Sequence, residues 1–133
     1  MSSSSLHHKL GGRIGNTGSI ALQEVRVPAD NRVGAAGEGL TIALSALDNG
    51  RYAVAAGAVG LMEACLEASV SYAEQRRSFG QPIGKHQLIQ QKIARMVAGR
   101  DIGRLLYYQV GRLKNRGMRC TREVSLVKWM NCD

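Results

Sequence analysis

Aromatic side chains are scarce in this sequence: four tyrosines, one tryptophan and one phenylalanine. Proline occurs only at Pro28 and Pro82. Sandwiches and barrels draw on aromatic and β-branched residues and on frequent turns. Their scarcity, beside abundant Ala, Leu and Val, favours closely packed helices. No long uninterrupted apolar run is evident, so no transmembrane helix and no membrane partner are expected. The opening MSSSSLHH has neither the basic start nor the apolar centre of a secretion signal. Residues 1–9 are therefore expected to be a disordered leader. Cysteine is sparse as well. Cys65, Cys120 and Cys132 form no CxxC pair, and their odd number without a secretion signal points to a reducing compartment. Nor does their spacing suggest a metal site with His7, His8 or His86. Cys65 falls among apolar helical positions and is expected to pack as a small hydrophobe.

Acidic residues are nearly missing from the second half. Residues 1–75 carry five Lys/Arg and seven Asp/Glu, whereas residues 76–133 carry thirteen and three. The net charge of +8 is thus a property of the C-terminal half. Such an excess fits a solvated face, a nucleic acid, an anionic cofactor or an acidic partner.

At 133 residues the chain is the size of one domain. Leu10 to Gly34 reads as β. SIALQEVRVP alternates Ile20 and Leu22, then Val25 and Val27, with Pro28 ending the pairing and a bulge implied near Glu24–Val25. One or two strands are not stable alone, so they pair with another chain or form the end of a larger sheet. From about Gly37 the period becomes helical. Leu40, Leu44, Leu47, Ala58, Leu61, Met62, Cys65, Ser69 and Tyr72 predict one long helix from Gly39 to Arg76, disturbed near Gly50. Gly57 and Gly60 would each cost ~1 kcal/mol against alanine in an exposed helix, so they are expected to permit close helix contact. Ile89, Ile93, Met96, Gly103, Leu106, Val110 and Leu113 predict a second helix over His86 to Arg116, with Gly117 just past its end. Thr121 is the expected N-cap of a third helix carrying Glu123, Val124, Val127 and Trp129. That helix has no C-cap before Asp133 and looks cut. The expected fold is mainly α. Two long antiparallel helices and a third partial helix come from an up-down four-helix bundle, preceded by a short β remnant. The corresponding segments are a leader over 1–9, the β remnant over 10–36 and an incomplete helical bundle over 37–133.

Two stretches carry chemistry. In ALDNGR, Asp48 and Arg51 lie three apart and share a helical face. Such a pair is ordinarily a surface ion pair worth about 0.3 kcal/mol. It could also form the polar rim of a pocket, with Gly50 admitting a ligand to the backbone. The connection RRSFGQPIGKHQ is richer than a turn requires. Arg76 suits the C-terminal dipole of its helix and can also fork two donors onto phosphate oxygens. Phe79 offers a flat apolar wall, and Gln87 an acceptor and two donors. His86 and Gln87 stand at a helix start, where free N–H groups favour anions. Pyrophosphate plus a heteroaromatic ring would engage all of these features.

Arg76-Arg77-Ser78-Phe79-Gly80, followed by His86-Gln87, resembles the flavin-contacting segment of the acyl-CoA dehydrogenases. The resemblance extends over nearly the whole chain after the leader. LGGRIGNTGSIALQEVRVPADNRVG is similar to the last strands of that family's middle β domain. The stretch from Gly37 to Gly80 is similar to the first helix of its C-terminal bundle. The resemblance implies FAD contacts at Arg76, Ser78, Phe79, His86 and Gln87, made across a dimer interface onto the neighbouring subunit's cofactor. It implies that Asp48, Asn49, Gly50 and Arg51 lie near the acyl-CoA substrate. It further implies an oxidoreductase of fatty-acid or amino-acid catabolism, dimeric or tetrameric. Its electron acceptor would be an electron-transferring flavoprotein, and its location the bacterial cytoplasm in preference to a mitochondrial matrix. The family's proton-abstracting glutamate has two known locations. Gly50 holds one of them and cannot act as a base, and the other is expected beyond Asp133. Glu63, Glu67 and Glu74 have the spacing of ordinary helix glutamates.

Two rival readings stand beside this one. A helical oligomerisation fragment without catalysis would associate through the apolar stripe that an incomplete bundle leaves open. A basic nucleic-acid-binding module is the remote alternative. Lys92, Arg95, Arg100, Arg104, Arg112 and Arg116 scatter around the second helix instead of clustering as a phosphate-tracking surface would require.

Overall fold

The computed structural model describes residues 1–133 and divides into two compact units, Met1–Gly39 and Leu40–Asp133. In the first, strand β1 (Ser2–Ser5) pairs antiparallel with β2 (Gly18–Ala21), Ser2 opposite Ala21 and Ser5 opposite Gly18. Strand β1 thus falls within residues 1–9, the segment expected as a disordered leader. The Lys9 ammonium closes the intervening loop, donating to the carbonyls of Gly12 and Gly15 and to Thr17 Oγ1. The strand expected to run on to Val27 stops at Ala21. Its partner has only four residues, and an unpaired strand leaves its N–H and C=O groups without bonds. Glu24 then turns to φ 49°, a break at the expected place but without a bulge. A short 3₁₀ turn over Ala29–Asn31 follows.

The second unit is helical. Helix α1 (Gly39–Gln75) runs unbroken through Gly50 for 37 residues, about 56 Å at 1.5 Å per residue. A two-stranded hairpin, β3 (Arg77–Ser78) and β4 (Gln81–Pro82), and a 3₁₀ turn over Ile83–Lys85 lead into α2 (Gln87–Asn115). Gly117, at φ 68°, ends α2 as its place in the sequence predicts. Helix α3 (Thr121–Cys132) follows. Asn49 meets Lys114 and Glu63 meets Arg100, so α1 and α2 are antiparallel. Asp48 meets Thr121 and Ala55 meets Asn131, so α3 returns alongside α1 in the same direction.

The core sits where the three helices meet. Ala55, Val110, Cys120, Val124 and Val127 are buried there, flanked by Tyr52, Tyr107 and Leu113. On α1 the buried residues are Ala55, Val59, Leu66 and Ala73, whereas Leu61, Cys65 and Tyr72 are exposed. The helical spacing of the apolar residues is real. However, α1 is apolar on nearly all sides, and no stripe in the sequence singles out the inward face. By length and composition alone α1 could also cross a membrane, with a mean hydropathy of 1.5 over 18 residues. In this fold α1 is a bundle helix, tied to α2 at Asn49, Tyr52 and Glu63.

The glycines expected to mark close helix contact are not the ones that do. A β-carbon on Gly57 or Gly60 would meet nothing within 4 Å. On α2, by contrast, a β-carbon at Gly103 would stand 2.8 Å from Asn131 Oδ1. Asn131 is buried, and its Nδ2 donates to the carbonyls of Ala55 at 3.2 Å and Gly103 at 3.3 Å. One amide thereby links all three helices.

Candidate functional site

The hairpin between α1 and α2 is the first candidate. Its two central residues, Phe79 and Gly80, have φ of 50° and 79°. Positive φ at both is the signature of a type I′ turn, which suits the twist of a two-residue hairpin and ordinarily carries Asn-Gly. Glycine adopts this conformation freely. An aromatic residue does so only at a cost of about 1–3 kcal/mol. Phe79 is also 96% exposed, so no burial offsets that cost. The chain holds its only phenylalanine strained and in solvent, its ring perpendicular to that of His86 at a centroid separation of 6.2 Å.

Ser78, Phe79, Ile83, His86, Gln87 and Leu88 line a pocket of about 540 Å³. Arg76 lies outside this lining, exposed at the end of α1. Its neighbour Arg77 braces the turn instead, donating from Nη2 to the Gly80 carbonyl at 2.8 Å. His86 is the N-cap residue of α2 but forms no side-chain cap bond. Its Nδ1 lies 3.4 Å from Gln81 Nε2, while its Nε2 is buried and without a partner. Ile89 and Gln90 donate to the His86 carbonyl, which leaves the N–H groups of Gln87 and Leu88 open at the helix start. Lys85, in the same lining, was not singled out in the sequence. Its place immediately before His86-Gln87, at a helix N-terminus, was the available signal.

The second candidate is a cleft of about 740 Å³ near the other end of α1, between that helix and the turn into α3. Asp48, Asn49 and Arg51 line it together with Ser45, Lys114 and Thr121. Arg51 Nη1 donates to Asp48 Oδ1 at 2.8 Å, so the pair expected from spacing is formed. The other carboxylate oxygen accepts from Thr121 Oγ1 at 2.9 Å. Lys114 donates to Asn49 Oδ1 at 2.8 Å and its ammonium lies over the Tyr52 ring. Gly50 is exposed, and a β-carbon there would meet nothing within 4 Å; the nearest carboxylate in sequence, Asp48, is already bound by Arg51 and Thr121. Thr121 is not the N-cap. That position is held by Cys120, and the Thr121 hydroxyl is directed to Asp48 instead.

Between the two places the basic residues of α2 are partly neutralised. Arg100 Nη1 donates to Glu63 Oε1 at 2.7 Å, and Arg104 pairs with the other oxygen of the same carboxylate. The Arg100 hydrogen bond, helped by both guanidinium charges, holds the Glu63 carboxyl below its ordinary range. Two of the cations that might have tracked phosphates are thus committed to α1. Tyr52 stacks on Tyr107 with ring centroids 4.7 Å apart. Burial, and then the neighbouring Tyr107 hydroxyl, push its own hydroxyl up to about 12.

The family described as acyl-CoA dehydrogenase, C-terminal domain, matches residues 37–133. Glutaryl-CoA dehydrogenase of Desulfococcus multivorans is 41% identical over 109 residues, covering 82% of this chain and 28% of that protein. The mitochondrial short-chain specific acyl-CoA dehydrogenase of Bos taurus is 38% identical over 120 residues, covering 90% and 29%. The solved structure of butyryl-CoA dehydrogenase from Megasphaera elsdenii matches with a TM-score of 0.91 and 35% identity, over 98% of this chain and 34% of that one. The chain spans about a third of the length of these relatives.

Proposed function

The chain belongs to the acyl-CoA dehydrogenase family, and from that premise we propose that it supplies two parts of an FAD-dependent site that dehydrogenates an acyl-CoA thioester between its α and β carbons. The observation that carries this reading is the strained turn. An exposed aromatic residue held at positive φ implies a partner for its ring. The residues around it suit a flavin dinucleotide. Phe79 offers a face for a flat ring system. His86 Nε2, buried and unpaired, offers a hydrogen bond to the ligand. The open N–H groups of Gln87 and Leu88, with the Lys85 charge nearby, suit a pyrophosphate. Ser78 lines the same pocket, and Arg76, outside the lining, is proposed to reach the cofactor from just past the end of α1. FAD bound there would supply the hydride acceptor.

At the other site Arg51 lines the cleft with its remaining guanidinium donors unbonded in the chain, suited to an anionic oxygen of acyl-CoA. Asp48 and Asn49 hold the surrounding helices in register, and Gly50 leaves the α1 backbone approachable. Having no side chain, Gly50 cannot be the base that takes the α-proton. Arg51, on α1, and Arg76, just past its end, are 25 residues apart, about 38 Å. This separation favours a homodimer or tetramer in which the hairpin serves the FAD of a neighbouring subunit. An electron-transferring flavoprotein is the proposed acceptor. The bacterial cytoplasm is the proposed setting and the mitochondrial matrix the alternative; the bovine relative is mitochondrial.

A second reading, a helical oligomerisation element without catalysis, draws on the exposed Leu61, Tyr72, Ile102, Leu105 and Trp129. Titration of FAD into the purified chain, followed by flavin fluorescence and sedimentation, separates the two. Saturable quenching is expected, weakened about tenfold in Phe79→Ala, since stacking on an aromatic is worth ~1–3 kcal/mol. Association without quenching supports the oligomerisation element, and quenching indifferent to Phe79→Ala overturns the role given to the turn.

A further inference from the structure

We infer that Thr121 is a positioning residue of the α1–α3 cleft: its hydroxyl fixes the Asp48 carboxylate and, through it, the Arg51 guanidinium for the CoA portion of the substrate. The inference rests on reading that cleft as an acyl-CoA site.

It begins from a capping rule that the chain breaks. Helix α3 starts without a side-chain cap bond, because Cys120 occupies the N-cap position. A threonine one residue earlier would satisfy an open N–H of the first turn. Instead Thr121 is the first residue of the helix, and its Oγ1 donates to Asp48 Oδ2, 2.9 Å away and 73 residues earlier in the chain. Arg51 Nη1 holds the opposite oxygen at 2.8 Å. With both oxygens engaged from different helices, the carboxylate cannot swing about its own bond. The arginine bound to it is then fixed by one N–H while its other donors stay open.

The electrostatics agree. Asp48 stands at the start of α3, where the helix dipole favours negative charge. The Thr121 bond holds it at that end whether or not a ligand competes for Arg51. Without the threonine, Asp48 and Arg51 would be an i,i+3 pair free to rotate together. The guanidinium would then meet a ligand with its direction undetermined.

The test is calorimetric titration of coenzyme A into the chain, with helical content followed by circular dichroism. Thr121→Val keeps the branched shape and removes the hydroxyl, and is expected to weaken coenzyme A binding about fivefold at unchanged helical content. Thr121→Ser keeps the hydroxyl and is expected to bind within about twofold of the parent. Should valine disturb α3, Thr121→Ala gives the same comparison with a better helix former. Wild-type affinity in a folded hydroxyl-less variant overturns the positioning role. So does a serine variant as weak as valine. Arg51→Gln separates the two levels of the argument. If it weakens binding and Thr121→Val does not, only the positioning role falls. If Arg51→Gln binds as the parent does, or the parent does not bind coenzyme A, the acyl-CoA reading of the cleft falls first.

Discussion

The Tyr52 hydroxyl lies against the backbone of Gly111, so near that a β-carbon built there would stand 2.5 Å from it. The ring cannot retreat easily, since it is stacked on Tyr107 and capped by the Lys114 ammonium. Alanine ordinarily gains ~1 kcal/mol over glycine in a helix. Here the overpacking of about 1–3 kcal/mol should outweigh that gain. Gly111→Ala is expected to lower Tm, and to raise it when Tyr52→Phe has removed the obstructing oxygen. A double-mutant cycle by thermal denaturation checks both signs.

Gly57 and Gly60 should behave in the opposite way. Neither has a neighbour for a β-carbon within 4 Å. Each change to alanine is expected to stabilise the chain by up to about 1 kcal/mol. Denaturant unfolding with an unchanged m-value checks it.

Asn131 should be intolerant of charge. Its amide nitrogen faces two carbonyls, and its buried Oδ1 has no donor. Asn131→Asp would place an anion among acceptors. A loss of about 3 kcal/mol or more is expected at pH 7. Because burial raises a carboxyl's pKa, part of that loss should return at acid pH, where the variant is neutral. Unfolding at both pH values checks the recovery.

The turn should trade stability against binding. Asparagine tolerates positive φ, so Phe79→Asn is expected to stabilise the chain by about 1 kcal/mol while weakening FAD binding. A higher Tm together with reduced flavin quenching is the expected pair of results. A lower Tm would show that the phenylalanine is structural.

The dependence of stability on pH should have two identifiable limbs. The hydrogen bond from Arg100 lowers the Glu63 carboxyl in the folded chain. Its stabilising contribution is present above the ordinary carboxyl range and is lost as pH falls through the lowered value. Glu63→Gln should flatten that acid limb. Tyr52 is shifted the other way, from 10 to about 12. Its contribution is complete below pH 10 and is lost as pH rises towards 12, and Tyr52→Phe should remove that loss. Unfolding midpoints measured across pH check both limbs.

The sequence by itself determined the three helices, their approximate limits and the family. Helical period, the glycine after α2 and the ordered motifs from Asp48 to Gln87 are local properties of the chain. Ser78, Phe79, His86 and Gln87 meet in one pocket because they flank a single short hairpin, and short connections leave little freedom. Tertiary structure alone decided which residues face inward. An almost uniformly apolar α1 has no preferred side until α2 and α3 choose one, which is why Ala55 and Val59 are buried and Leu61 and Cys65 are not. It also decided which glycines are needed, Gly103 and Gly111 in place of Gly57 and Gly60. The partner of Thr121 was equally out of reach. A hydroxyl at a helix start reads locally as a cap, and only the folded bundle brings a carboxylate 73 residues away close enough to compete for it.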